Sequence, residues 1–137
     1  MHRRIAALVL ALVLLVVAGA CSPQEADSFL RTNEIRAARA LAPLGWNEGA
    51  YAKAVAWSEH MANEGRLSHS ELSDGLAGGW RRLGENVAYA GSVEQAMDAL
   101  EASPGHLANM TNPEFSSVAI GVVERDGRVW VTQVFVG

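Results

Sequence analysis

Apolar residues recur along this chain in two rhythms, one helical over its first half and one of period two at its end. The clearest helical stretch follows Asn47, which can cap it with Glu48 in the first turn. Ala50, Ala54, Trp57 and Met61 then return at helical spacing, with Tyr51, Val55 and Ala62 beside them and Gly65 as a left-handed stop. An earlier helix is expected from Ser28, or Asp27 before it, to about Leu41. Leu30, Ala37, Ala38 and Leu41 fall on one face, and Pro43 ends it. Asn33 and Arg36, three apart, share a side of that helix, as a solvated stripe or as a polar pair tying it to a loop.

Leu67 to Leu83 is irregular and glycine-rich, but no strand precedes its glycines and no helix opens after them, so it is not a phosphate loop. Glu85 to Tyr89 reads as a short strand entered from Gly84. Ser92 and Gln95 form a capping box for a helix through Val93, Ala96, Met97 and Leu100. Ser103 and Pro104 then open a short helix with His106 in its first turn. The end of the chain predicts a hairpin, Ser117 to Glu124 and Arg128 to Val136, joined at Arg125-Asp126-Gly127. Val118, Ile120 and Val122 lie on one face of it, Ala119 and Val123 on the other. A sheet apolar on both faces must be covered on both. The expected fold is therefore α+β: a three-layer α-β-α sandwich around a small, mainly antiparallel sheet.

The amino end changes the picture of where the protein works. His2, Arg3 and Arg4 precede an unbroken apolar run from Ile5 to Val17, then Ala18-Gly19-Ala20 and Cys21. That is the order of an export signal, and thirteen apolar residues are short for a membrane span. Small residues before a cysteine resemble a lipoprotein signal, so residues 1–20 are expected to be removed and Cys21 lipidated. Residues 21–28 then read as a tether and 29–137 as one domain. Ordinary cleavage and secretion is the alternative. Cys21 is the only cysteine, so the domain has no internal disulfide and no cysteine nucleophile.

Without residues 1–20 the domain keeps nine basic and fifteen acidic side chains. An acidic surface whose densest basic cluster is Arg81-Arg82 argues against nucleic acid as a partner. The expected partners are the membrane, through a lipidated Cys21, and a lipid, cell-wall or protein ligand.

Three residues carry the candidate chemistry: His69, Glu85 and His106. An imidazole at a helix start feels the positive end of the dipole and tends to stay neutral. Glu85 beside Gly84 is expected in a tight turn with its carboxylate in a cleft, fixing the tautomer of an imidazole. Two histidines and a glutamate also form the ligand set of some zinc sites, although separations of 16 and 21 residues match no short metal motif. His69, Glu85 and His106 are thus candidate ligands for zinc or another divalent cation, or hydrogen-bonding groups that hold three loops together. His60 reads as an ordinary surface histidine. There is no Gly-x-Ser-x-Gly elbow, and no catalytic nucleophile is assigned.

Five segments occur in the order seen in the CAP superfamily of cysteine-rich secretory, antigen 5 and pathogenesis-related proteins. They are Asn33-Glu34-Ile35-Arg36, Pro43-Leu44-Gly45-Trp46, Leu67-Ser68-His69, Gly84-Glu85-Asn86-Val87 and Ser103 to Asn109. Trp130 to Phe135 resembles the closing strand of that family. The resemblance implies an α-β-α sandwich and a cleft lined by two histidines and two acids, three of which His69, Glu85 and His106 match. Asn86, Asn109, Asn33 and Arg36 would support the cleft. The second acid has no clear match: Ser103 falls near its place, and Glu94 and Glu101 are candidates. A three-ligand or metal-free cleft is therefore expected. Members of the family are linked to sterol or fatty-acid binding, metal binding, signalling and, occasionally, proteolysis. The expectation is a non-enzymatic binding module outside the cytoplasm. The alternative is a metal-assisted peptidase or esterase with Glu85 as base or ligand; a purely structural role in the cell envelope is the third option.

Overall fold

Capping chemistry sets where the helices begin, and it starts the first one earlier than the apolar pattern suggests. The computed structural model describes residues 21–137; the expected signal segment, 1–20, lies outside them. Helix α1 spans Pro23–Ala37, with Ser22 accepting from the Glu25 amide and Glu25 reaching back to the Ser22 amide, and with Pro23 in the first turn. Ser22-x-x-Glu25 is thus a capping box, and the stretch expected to be a tether is the first turns of a helix. The face it buries also differs from expectation. Glu25, Ser28, Thr32, Ile35 and Arg36 are buried, while Leu30 is 58% exposed. The helix stops at Ala37, and Ala40 turns the chain at a φ of 55°.

Strand β1 is only Gly45–Trp46, and helix α2 follows at Glu48–Glu64, capped by Asn47 and ended by Gly65 at a φ of 68°. Strand β2 is Leu83–Ala90, helix α3 Val93–Ala102 and helix α4 Pro104–Met110. Ser92 caps α3 as expected, but Gln95 reaches back to the amide of Gly91, one residue beyond the cap. Strands β3 (Ser117–Arg125) and β4 (Arg128–Val136) form the hairpin, and its turn residues Asp126 and Gly127 both have positive φ, as a type I′ turn requires.

The sheet order is β1-β3-β4-β2, with β1 parallel to β3 and the other pairs antiparallel. Register sorts the side chains. Asn86 stands opposite Gln133 and Gln133 opposite Ile120, on the face covered by α1, α3 and α4. Glu85, Val134 and Ala119 share the other face, where Ala50 and Ala54 of α2 pack against Ala119 and Val134. Helix α2 lies so close to the sheet that a Cβ on Gly121 would stand 2.4 Å from the Ala54 carbonyl carbon and the Val55 nitrogen. The three-layer α+β sandwich with a mainly antiparallel sheet is the fold. No helix of the described residues is long and apolar enough to cross a membrane.

Candidate functional site

Two consecutive residues of β2 point to opposite faces of the sheet, and the site is built around that alternation. Glu85 goes to the α2 face and Asn86 to the other. Glu85 is therefore in the strand read over Glu85 to Tyr89, which begins earlier, at Leu83, and leaves no tight turn at Gly84. Its neighbour Gly84 serves close packing rather than a turn: a Cβ there would lie 2.7 Å from the ring of Phe115.

The Glu85 carboxylate is almost fully buried, its side chain 1% exposed. Its Oε1 accepts from the Ser70 amide and from Nδ1 of His69, both at 2.9 Å, and its Oε2 accepts from the Ser70 hydroxyl. A buried carboxylate with these three partners fixes the loop after α2 onto the edge of the sheet. It also sets the tautomer of His69, leaving Nε2 of a side chain that is 62% exposed for other partners. Trp57 Nε1 donates to the Ser68 carbonyl at 2.8 Å and anchors the same loop to α2.

On the opposite side Asn86 Nδ2 donates to the His106 carbonyl at 3.0 Å and to Gln133 Oε1 at 3.1 Å. Asn109 Nδ2 donates to Asn86 Oδ1 at 2.9 Å and reaches the Glu85 carbonyl at 3.3 Å. Gln133 in turn donates to Thr32 Oγ1 at 3.1 Å and to Ser28 Oγ at 3.4 Å. A hydrogen-bonded chain thus runs from α1 through β4 and β2 to α4, and among the described residues no buried side-chain polar atom lacks a partner. His106 sits in the first turn of α4, as expected. Ser103 does not cap that helix with its side chain; its hydroxyl shares a 2.8 Å hydrogen bond with Nδ1 of His106. Burial and the nearby His69 hold the His106 pKa below its ordinary value of 6.5, which favours the neutral imidazole.

The acid expected as a fourth cleft residue is not supplied by either candidate. Glu101 pairs with Arg31 at 2.8 Å, and Glu94 lines a hollow with Asp27 and Arg31. The group beside His106 is the Ser103 hydroxyl instead. Nor is Glu85 placed as the partner of His106: each histidine has its own, Glu85 for His69 and Ser103 for His106. Asn33 and Arg36 tie a helix to its loops rather than forming a solvated stripe. Asn33 makes a two-way bond with the backbone of Leu44, and the Arg36 guanidinium donates to the carbonyls of Ala42, Met110 and Asn112.

Ser70 and Gln133 also hold the site, although the sequence pattern does not single them out. Ser70 carried no signal beyond its place beside His69. Gln133 did carry one, a polar residue among the inward-facing apolar positions of a closing strand.

The donor set does not fit a metal site that includes Glu85. Both of its oxygens are engaged within the fold, and no group of three or more His, Cys, Asp or Glu side chains among the described residues is disposed to hold a metal ion. What the arrangement offers is two imidazoles, each oriented through Nδ1, on either side of the β2 edge. Neither imidazole lines a hollow of about 360 Å³ bounded by Trp80, Asn47 and Gly137, or another of about 310 Å³ beside Trp57 that reaches Ser70.

Comparison with known proteins agrees with this architecture. The family described as "CAP: Cysteine-rich secretory protein family" matches residues 29–135. The YkwD protein of Bacillus subtilis (strain 168) is 30% identical over 115 residues, covering 77% of this chain and 44% of the relative. The chain thus spans less than half the length of that relative. An extracellular protein containing an SCP domain from Bacillus anthracis superposes with a TM-score of 0.72 at 25% identity, over 87% of this chain and 45% of the other. An outer surface protein from Borrelia burgdorferi has the same fold at 12% identity, with a TM-score of 0.74 over 82% of this chain and 91% of the other.

Proposed function

The chain belongs to the cysteine-rich secretory protein (CAP) family, and from that premise we propose that it is a non-enzymatic binding module outside the cytoplasm. Its ligand is held between His69 and His106. One observation carries this: both imidazoles are oriented through Nδ1, by Glu85 and by Ser103, so that both Nε2 atoms are left for a partner. Such preorganisation lowers the ordering cost of binding. The groups that would do chemistry are engaged in holding the site: both Glu85 oxygens and the Ser70 hydroxyl bond each other or the loop. Metal-assisted hydrolysis, the alternative, needs Glu85 free as base or ligand, and nothing in the site favours it.

Location outside the cytoplasm rests on the extracellular relative from B. anthracis and on the amino-terminal pattern. In the same proposal Cys21, exposed immediately before the cap of α1, is lipidated and holds the domain at the membrane. Mass spectrometry of protein from its own host checks that part; an unmodified or absent Cys21 overturns the anchor but not the cleft. The cleft is tested by titrating palmitate, sterol and soluble peptidoglycan fragments onto the wild-type protein and onto His69→Ala/His106→Ala. Binding that the double replacement abolishes is the expected outcome. Binding unaffected by it, or none to any of the three probes, removes the proposal.

A further inference from the structure

The loop that carries His69 closes a second hollow, of about 310 Å³, against helix α2. This volume lies at the lower end of small-molecule sites, roughly 300–1,000 Å³. Lys53, Trp57 and His60 line it from α2, and Ser70, Glu71 and Asp74 from the loop. The rings of Trp57 and His60 stack at 4.5 Å and 24°, so each covers one face of the other, and the exposed His60 ring caps a pair that rests on the Met61 cluster. The hollow is held open by bonds on either side. Trp57 Nε1 donates to Ser68 O at 2.8 Å, and Lys53 Nζ donates to Glu71 O at 2.7 Å. Ser70 is committed to Glu85, but the carboxylates and the imidazole of the lining are not. Among the described residues neither the Glu71 nor the Asp74 carboxylate has an ion-pair partner, the His60 ring makes no hydrogen bond, and Lys53 keeps two N–H donors.

We infer that this hollow is a binding site for an uncharged hexopyranose sugar, distinct from the His69/His106 cleft and independent of it. A pyranose ring has an apolar face of C–H groups and a rim of hydroxyls that both donate and accept. The stacked rings match the face; Lys53, Glu71 and Asp74 match the rim. The charges argue against an anion, because two carboxylates outweigh the Lys53 ammonium and repel a group such as phosphate. A simple cation, which they attract, carries no acceptor for the Lys53 N–H donors. A neutral ligand that needs donors and acceptors on one rim meets no such penalty.

The test is backbone-amide NMR of the 21–137 protein titrated with diacetylchitobiose, cellobiose and maltose, with choline and inorganic phosphate as ionic arms. At least one sugar should shift the amides of Lys53, Trp57, His60 and Asp74. His60→Ala and Asp74→Asn, both at exposed positions, should each weaken that sugar about tenfold or more, a loss of roughly 1.4 kcal/mol. His106→Ala, on α4 and outside this lining, should change its affinity by less than about twofold, under roughly 0.4 kcal/mol, so failure of the cleft proposal leaves this one standing. The inference is overturned if no sugar shifts those amides at tens of millimolar. It is equally overturned if the shifts map elsewhere, if neither variant weakens them, or if choline or phosphate occupies the hollow in place of sugar.

Discussion

The two faces of the sheet are buried by different means. Under α2 the packing is close and mostly apolar: Ala50 and Ala54 meet Ala119 and Gly121, and Met61 and Trp57 meet Val87 and Trp130. Apart from Glu85 at the sheet edge, a short polar link crosses it. The Ser58 hydroxyl donates to the Gly121 carbonyl at 2.8 Å and accepts from Thr132 at 2.7 Å. Under α1, α3 and α4 the apolar cluster is threaded by Ser28, Thr32, Gln133, Asn86 and Asn109. Buried amides and hydroxyls add little net stability when paired and cost much when a partner is lost. Such a chain makes sense where direction matters, and this one ends at the carbonyl of His106. On the α2 face one buried carboxylate at the sheet edge, Glu85, orients His69 beside close apolar packing; on the other face a longer chain of neutral groups reaches the His106 backbone.

Five replacements, read by thermal or denaturant unfolding, would break or sharpen that contrast. The largest effect is expected on the close-packed face. Gly121→Val puts a side chain into the backbone of α2 and should cost more than about 3 kcal/mol, because overpacking against backbone has no soft way out. Next comes Asn86→Ala on the polar face. It strands Gln133, Asn109 and the His106 carbonyl and should cost about 2–3 kcal/mol, with weaker ligand binding at His106. By contrast Thr132→Val removes only a donor to a hydroxyl already satisfied elsewhere, and should cost under about 1 kcal/mol. If Thr132→Val proves as costly as Asn86→Ala, the two faces do not differ in the way described.

Acid should single out His106. Its folded pKa is lowered, so the unfolded chain binds the proton more readily. The stability linked to it is complete above the ordinary value of 6.5 and is lost as pH falls from there through the folded value. Unfolding followed from pH 7.5 downward should show that loss in the wild type, and His106→Gln should remove this component. Ser103→Ala belongs with Thr132→Val at the small end. A half-buried hydrogen bond should be worth about 1 kcal/mol or less, while NMR of the His106 ring should show its orientation loosened.

Much of the scaffold was legible because caps and turns are local. Asn47, Gly65, Ser92, Pro104 and the Asp126-Gly127 turn each act within a few residues of themselves, and each stands where the sequence places it. The start of α1 was legible too, in Ser22-x-x-Glu25, but its buried face was not. A helix that buries Glu25, Ser28, Thr32 and Arg36 has no apolar stripe to find. Strand β1, two residues long, has no period at all; it exists because Ser117 and Val118 offer it an edge.

The same division holds for the site. From its sequence alone this protein was destined to have His106 in a helix start, a hairpin apolar on both faces, and His69, Glu85 and His106 as its chemically distinctive residues. Only the tertiary structure decided that Glu85 serves His69, that Ser103 serves His106, and that Asn86, one residue from Glu85, supports the opposite side. A cap or turn is set by dihedral angles and bonds a few residues apart. A partner 15 to 105 residues away, as Ser70 is to Glu85 and Ser28 to Gln133, is set by the register and faces of a sheet that exists only once the chain has packed.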